Sequence, residues 1–332
     1  MPRRRRRRDP GAAPAVDAAT RADRRHKEMT MAPHAPPLPA PVSGELRMLQ
    51  GVAGPLAFYE ANAGGAAPLL LVHSVNAAAS AYEIRPLFEH YRSVRPVQAL
   101  ELPGFGHSER GPRPYSVRMM TDAVLVAARA AADRAGGPVD ALAVSLSCEF
   151  LARAAGEAPA LFRSLALVSP TGFDSRPRKA QQPDGSMGMG WLRRGLEWPV
   201  LSEGLFGALT SRTSIRFFLR KTFGSDRVDE GLIDYCYRSA HQPGARHAPY
   251  AFVSGFLFSA DALDRYLALR QPVWMCHGVR GDFVDYSRKS AVEGRPNWRI
   301  QVFETGAMPH FERLAEMVAA YDAFAADLPS SP

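Results

Sequence analysis

Four short runs of almost unbroken apolar residues constrain this chain more than any other feature. They are "PLLLVHS" (68–74), "VDALAV" (139–144), "SLALVSP" (164–170) and "PVWMCHG" (272–278). A run of that length with no polar alternation reads as a strand buried on both faces, the signature of a parallel sheet with helices on either side. The intervening segments support this. "SAYEIRPLFEHY" follows the first run, and "SVRMMTDAVLVAARAAADRAGG" (116–137) presents Val117, Met120, Val124 and Ala128 on one helical face, with Gly136 as a stop. "CEFLARAA" follows the second run. "ELRML" and "LAFYEA" read as an opening hairpin around Gly51 and Gly54. "SVRPVQALELPG" (93–104) and "NWRIQVFETGAMPH" (297–310) supply further strands, and "FERLAEMVAAYDAFAADL" a closing helix. Strands alternating with helices imply a mostly parallel, doubly wound α/β sheet.

The alternation stops between residues 174 and 263. "GWLRRGLEWPVL", "SRTSIRFFLRKTF", "EGLIDYCYRSA" and "PYAFVSGFLFSA" are helix-like, with no buried strand among them. The expected organisation is therefore a leader (1–43), a first core segment (44–173), a helical cap (174–263) and a second core segment (264–332). Helical insertions of this kind tend to cover a site at the sheet edge. The aromatics of the insertion, among them Trp191, Trp198, Phe217, Phe218, Tyr250, Phe252, Phe256 and Phe258, are expected mainly to pack its core. "GSMGMG" (185–190) has no strand before it and reads as a lid loop or hinge, not a dinucleotide loop.

Charge excludes one function class. The net charge is +8, but residues 1–30 hold ten Lys or Arg against four acids, +6 of that total. The basicity belongs to a leader rich in Arg, Ala and Pro, which reads as flexible, so no specific nucleic-acid partner is expected. "RRGLEW" and "RFFLRK" read as solvated basic helix faces. The three cysteines, Cys148, Cys236 and Cys276, are odd in number and form no CxxC, so neither a disulfide framework nor a metal site is suggested. No segment is apolar enough to span a bilayer, and no apolar stretch follows the basic N-terminus as in a secretory signal. A cytoplasmic protein acting on a small molecule, without cofactor, is the expectation.

The stretch carrying chemistry is "AVSLS" (143–147), between the strand "VDALAV" and the helix "CEFLARAA". A nucleophile at the top of a parallel sheet needs a sharp strand-to-helix turn, with small residues two before and two after it. Ala143 and Ser147 occupy those places around Ser145. The turn aims the Leu146 N–H at a developing oxyanion and sets Ser145 at a helix N-terminus. A serine hydroxyl needs a base, and the base an orienting carboxylate, both in loops after later strands. His310, in "GAMPHFERL", and Asp282, in "HGVRGDFVDY", are so placed. The order Ser145, Asp282, His310 suits this architecture. Asp174 and Asp285 are alternative acids. "HSVN" (73–76) offers the Val75 N–H as second oxyanion donor. His73, Ser74, Asn76 and Phe311 are candidate pocket residues, although His73, His107 and His277 read first as hydrogen-bonded structural histidines. Cys148 reads as a small buried residue.

Together with "LPGFGHSER" (102–110), these motifs make residues of about 45 to 328 resemble the α/β-hydrolase superfamily with an inserted cap domain. The resemblance implies a sheet of the α/β-hydrolase type and a Ser–His–Asp hydrolase, most simply of a carboxylic ester with an apolar part. Carbon–carbon bond hydrolysis and acyl transfer use the same triad, and a non-catalytic receptor or scaffold can use the same fold. The chain departs from the pattern at Ser74, Ala143 and Ser147, where glycine is usual, and carries one extra residue between Gly278 and Asp282.

Overall fold

Five buried strands form the middle of an eight-stranded sheet: β3 (Leu69–Val72), β4 (Val97–Leu100), β5 (Val139–Val144), β6 (Phe162–Val168) and β7 (Val273–Gly278). The hairpin β1 (Glu45–Gly51) and β2 (Gly54–Ala61) forms one edge and β8 (Trp298–Phe303) the other. The order is β1-β2-β4-β3-β5-β6-β7-β8. Only the β1/β2 and β2/β4 pairings are antiparallel. The structure, a computed structural model, describes residues 35–52, 54–62 and 66–328, with the side chains of 199–201 excepted. The arginine-rich stretch lies outside the described residues.

Helices cover both faces, which is why the central strands carry so few polar side chains. On one face α2 (Val117–Ala135) and α3 (Ser147–Glu157) bring Met120, Val124, Phe150 and Leu151 onto Leu70, Val72, Ala141 and Leu167. On the other, α1 (Arg85–Tyr91) and the C-terminal α11 (Leu314–Ala326) bring Leu87, Phe88, Met317 and Tyr321 onto Leu69, Leu71, Leu142 and Trp274. Burying a side chain of this size stabilises the fold by about 1.5–3 kcal/mol. At the amino end of β5, buried Asp140 accepts hydrogen bonds from Arg95, Arg163 and Ser164. That charge cluster sits at the end of the strand opposite Ser145.

Between β6 and β7 come six helices: α4 (Gly190–Leu196), α5 (Pro199–Leu209), α6 (Arg212–Phe223), α7 (Glu230–Ala240), α8 (His247–Val253) and α9 (Ala262–Leu267). Helices α5 to α8 share a small core of Phe206, Ile215, Leu219, Phe223, Leu232, Ile233, Cys236 and Tyr250, with Leu196 of α4 against it, whereas α9 packs Ala262, Leu263 and Tyr266 into the main core. Ala78 and Met308, from loops beyond β3 and β8, belong to the same cluster. The insertion thus seats on the loops at the carboxyl end of the sheet.

Three expectations need correction. Residues 37–42 are docked, not free. The carbonyls of Pro37, Leu38, Pro39 and Pro41 are contacted by Arg238, His107, Tyr235 and Arg85, and Val42 is buried. A proline-rich strand makes no internal hydrogen bonds, so its carbonyls stay open to side-chain donors. Second, Trp191, Trp198, Phe217 and Phe218 are 69%, 61%, 53% and 46% exposed. Tyr250 is buried, as expected for a core residue. Periodicity reveals an apolar helix face but not whether a neighbour covers it. Third, "GSMGMG" is pinned: Ser186 bridges to Ser259, Met187 N–H donates to Phe258 O at 3.0 Å, and Met189 N–H donates to Ser254 O at 2.7 Å.

Candidate active site

Ser145 follows β5 directly, and its backbone is left-handed, with φ 56°. Its N–H donates to Val168 O at 2.8 Å, extending the β5/β6 ladder by one residue before the chain turns into α3. A non-glycine residue there costs about 1–2 kcal/mol, and such strain concentrates at functional sites. Among the described residues only Ser169, one position beyond Val168, shares this backbone without being glycine. The elbow's flanking residues show how the turn closes without glycine. Ala143 is fully buried, and Ser147 donates its hydroxyl to His73 O at 2.5 Å, tying the elbow to the end of β3. Cys148 contacts Ala143 O through its thiol, and all three cysteines are buried and free.

The loop after β3 runs beside the elbow. Val75 and Leu146, the expected oxyanion donors, are both buried. The Ser74 N–H is already committed to Glu83 Oε2 at 2.9 Å. His73 is fully buried with both ring nitrogens engaged. Nδ1–H donates to Ser74 O at 2.6 Å, and Nε2 accepts from Leu102 N–H at 3.0 Å. Burial lowers its pKa to about 4. His73 is therefore a brace between loops and not a free pocket group. The Asn76 amide is also spent within the loop, on Glu83 and Ser74. Phe311 stands against His310 with ring centroids 5.2 Å apart, and against Phe223 of α6 at 6.0 Å.

His310 lies in the short helix α10 (Pro309–Glu312), fully buried. Its Nε2 is 2.7 Å from Glu83 O. A carbonyl only accepts, so Nε2 carries the proton and Nδ1 holds the lone pair. Nδ1 is buried with no partner among the described residues. Burial lowers the ring's pKa to about 4, against a smaller upward effect of the bond to Glu83. In this conformation neither ring nitrogen hydrogen-bonds Ser145, a looseness common in sites without ligand.

Asp282 does not reach His310. Its carboxylate meets Lys221 Nζ at 2.7 Å, with the two side chains 52% and 42% exposed. The reason is the seam between the end of α6 and the loops after β7 and β8. Asp282 N–H donates to Lys221 O at 3.0 Å, and Ala307 N–H to Thr222 O at 2.9 Å. Gly281 and Gly306 permit this approach, because a Cβ on either would collide with the backbone of α6. The alternative acids are also spent elsewhere. Asp285 takes hydrogen bonds from Ser175 and Ser287, which hold it far below the usual carboxylate range. Asp174 pairs with Arg176 at 3.0 Å. Among the described residues, then, the tertiary structure gathers the elbow, the oxyanion loop and the histidine at one sheet edge, and draws the expected acid aside.

Sequence reasoning missed the buried acids Glu83 and Glu149. Glu83 braces the loop just described. Glu149, one turn after Ser145, accepts from Thr171, Arg178 and the Ser259 N–H at 2.5, 2.7 and 2.8 Å, tying both ends of the insertion to α3. An acid in an apolar helix segment was the only available signal. Among the described residues there is no cluster of metal-ligating side chains and no helix long and apolar enough to cross a membrane.

Comparison with known proteins gives fold without family detail. No family profile matches the sequence, and no curated protein matches it. Solved structures do. An esterase from Thermogutta terrifontis superposes with a TM-score of 0.65 at 18% identity, covering 86% of this chain and 100% of that one. A meta-cleavage product hydrolase from Pseudomonas fluorescens IP01 gives 0.62 at 17%, covering 85% and 98%. A bacterial membrane phospholipase A gives 0.62 at 20%, covering 95% and 93%.

Proposed function

From a chain with the α/β-hydrolase fold and a serine in the strained turn after β5, we propose a serine hydrolase that cleaves acyl bonds, a carboxylic ester first among them. The observation carrying this is the left-handed Ser145 at the end of β5, with the buried His310 in the short helix α10 at the same edge of the sheet. The Ser145 hydroxyl attacks the acyl carbonyl while His310 takes its proton. The N–H groups of Leu146 and Val75 hold the oxyanion. The imidazolium returns the proton to the leaving group, and water then releases the acyl group from Ser145 by the same steps. The helical insertion acts as a cap, whose apolar core continues into the loops around the site and suits an apolar substrate part.

Asp282 enters this scheme only by exchanging Lys221 for His310. As arranged here, the Glu83 carbonyl orients the ring. That same geometry favours a second reading of another class, a ligand receptor on a hydrolase fold, because the N–H of His310 is held by the neutral Glu83 carbonyl where a triad would place a carboxylate. Treating the protein with a fluorophosphonate and measuring intact mass separates the two. A single adduct on wild type that vanishes in Ser145→Ala supports the hydrolase. No adduct on folded wild type supports the receptor. Ester and vinylogous diketone panels would then divide ester cleavage from carbon–carbon cleavage, and an added alcohol acceptor would reveal acyl transfer.

A further inference from the structure

The loop that presents the Val75 N–H is strung on one carboxylate. Glu83, in the 3-10 turn Ala81–Ile84, is fully buried. Its Oε2 accepts from Ser74 N–H at 2.9 Å, and its Oε1 accepts from the Asn76 amide at 2.6 Å. The same amide nitrogen donates to Ser74 Oγ at 3.1 Å, and Asn76 Oδ1 accepts from Ala78 N–H at 2.8 Å. These contacts all lead back to Glu83, alongside the bond from His73 Nδ1–H to Ser74 O at 2.6 Å. The Glu83 main chain reaches the other way, since its carbonyl accepts from His310 Nε2 at 2.7 Å.

No cation pairs with this carboxylate among the described residues. Burial pushes its pKa up, and the hydrogen bonds from Ser74 and Asn76 oppose that rise. A buried acid without a cation is costly, and a serine or asparagine would suffice to close an ordinary turn. An acid is needed where two donors, one from the backbone and one from a side chain, must be held at fixed positions together.

Resting on the serine-hydrolase reading above, we propose that Glu83 is a positioning residue that sets the oxyanion loop with its side chain and the base with its carbonyl, so that both halves of the site are held by one residue. It touches no substrate. By occupying the Ser74 N–H, it removes that group from the oxyanion hole and leaves Val75 as the loop's donor. By accepting from Nε2, its carbonyl keeps the proton there and the Nδ1 lone pair free.

A donor–acceptor swap tests this. In Glu83→Gln the new amide can still accept from Ser74, but its NH2 faces the Asn76 NH2, donor against donor. Adding Asn76→Asp restores an acceptor opposite that donor and keeps a partner for Ala78 N–H. Both variants and wild type are compared for the labelling rate of Ser145 by a fluorophosphonate, for kcat and KM on p-nitrophenyl butyrate, and for Tm. The single variant is expected to lose roughly ten- to hundredfold in kcat and labelling rate with KM within about threefold, because misplaced groups weaken the transition state and not ground-state binding. The double variant is expected to recover at least about tenfold of a hundredfold loss. A Glu83→Gln enzyme within twofold of wild type, or a loss that the swap does not recover while Tm does, overturns the role given to Glu83. Wild type that takes no label at Ser145 overturns the hydrolase reading itself, and Glu83's role with it.

Discussion

The strain at Ser145 can be weighed by two substitutions that differ by one methyl group. Ser145→Ala removes the hydroxyl but keeps a Cβ on a backbone with φ 56°. The Ser145 hydroxyl has no protein partner among the described residues, so this change alone should alter stability by no more than about 0.5 kcal/mol. Ser145→Gly removes the hydroxyl and also the Cβ. The left-handed conformation disfavours an L-residue by about 1–2 kcal/mol. Glycine gives back about 0.5–1 kcal/mol through its larger freedom in the unfolded chain. The glycine variant should therefore be more stable than the alanine variant by up to about 1.5 kcal/mol. For a protein of this size that is a rise in Tm of up to about 2 °C. Urea unfolding followed by tryptophan fluorescence, with matched slopes, measures the difference directly. Both variants should be dead towards a fluorophosphonate. A glycine variant less stable than the alanine variant by about 0.5–1 kcal/mol, the cost of its extra freedom alone, would show that the turn stores no strain, and would remove the main support for a nucleophile at this position.

Other expectations follow from the same geometry. As drawn, Asp282→Asn should leave Ser145 labelling within about threefold, because the carboxylate is engaged with Lys221; a loss of about a thousandfold or more would show that it moves to His310 during turnover. His310 has a folded pKa of about 4 against 6.5 when free. The acid limb of kcat/KM should then fall near pH 4, not near 6.5. By linkage, the unfolded chain takes up a proton here below about pH 6.5 while the folded one does not, so this group's contribution to stability is whole above that pH and declines down to about pH 4; a His310→Gln variant should show a flatter stability profile over that window. For Asp140, burial alone would raise the pKa, but the bonds from Arg163 and Arg95 outweigh it and hold the carboxyl below its usual range. Its stabilisation is present above the ordinary carboxylate pKa and is lost as pH falls through the lowered one. Asp140→Asn should cost about 3 kcal/mol at pH 7, because Arg95 stays buried without its counter-charge, as denaturant unfolding would report. Ser147→Ala should cost about 1 kcal/mol by leaving His73 O without its donor.

Apolar runs and helical periodicity determined the sheet, its flanking helices and the interruption between β6 and β7. Burial on both faces demands unbroken apolar strands, and that demand is visible residue by residue. "AVSLS" was legible for the same reason: the crowding of a sharp strand-to-helix turn is local, so small residues around Ser145 suffice to mark it. The position of His310 after the last strand was legible from chain order alone.

What the local code does not contain is where a loop goes once its strand has ended. Asp282 sits one residue after a glycine that lets α6 approach, and Lys221, sixty-one positions away, takes its carboxylate. Nothing in the sequence singles out Glu83, which the fold buries against Ser74, Asn76 and His310. Trp191 and Phe217 read as core until no helix covers them. In each case the deciding energy is a contact between segments distant in sequence: a hydrogen bond that must be made once water is excluded, or a face left uncovered. Strands and the elbow answer to their neighbours along the chain, whereas the partners of Asp282, Glu83 and His310 answer to packing, and only the tertiary structure decided them.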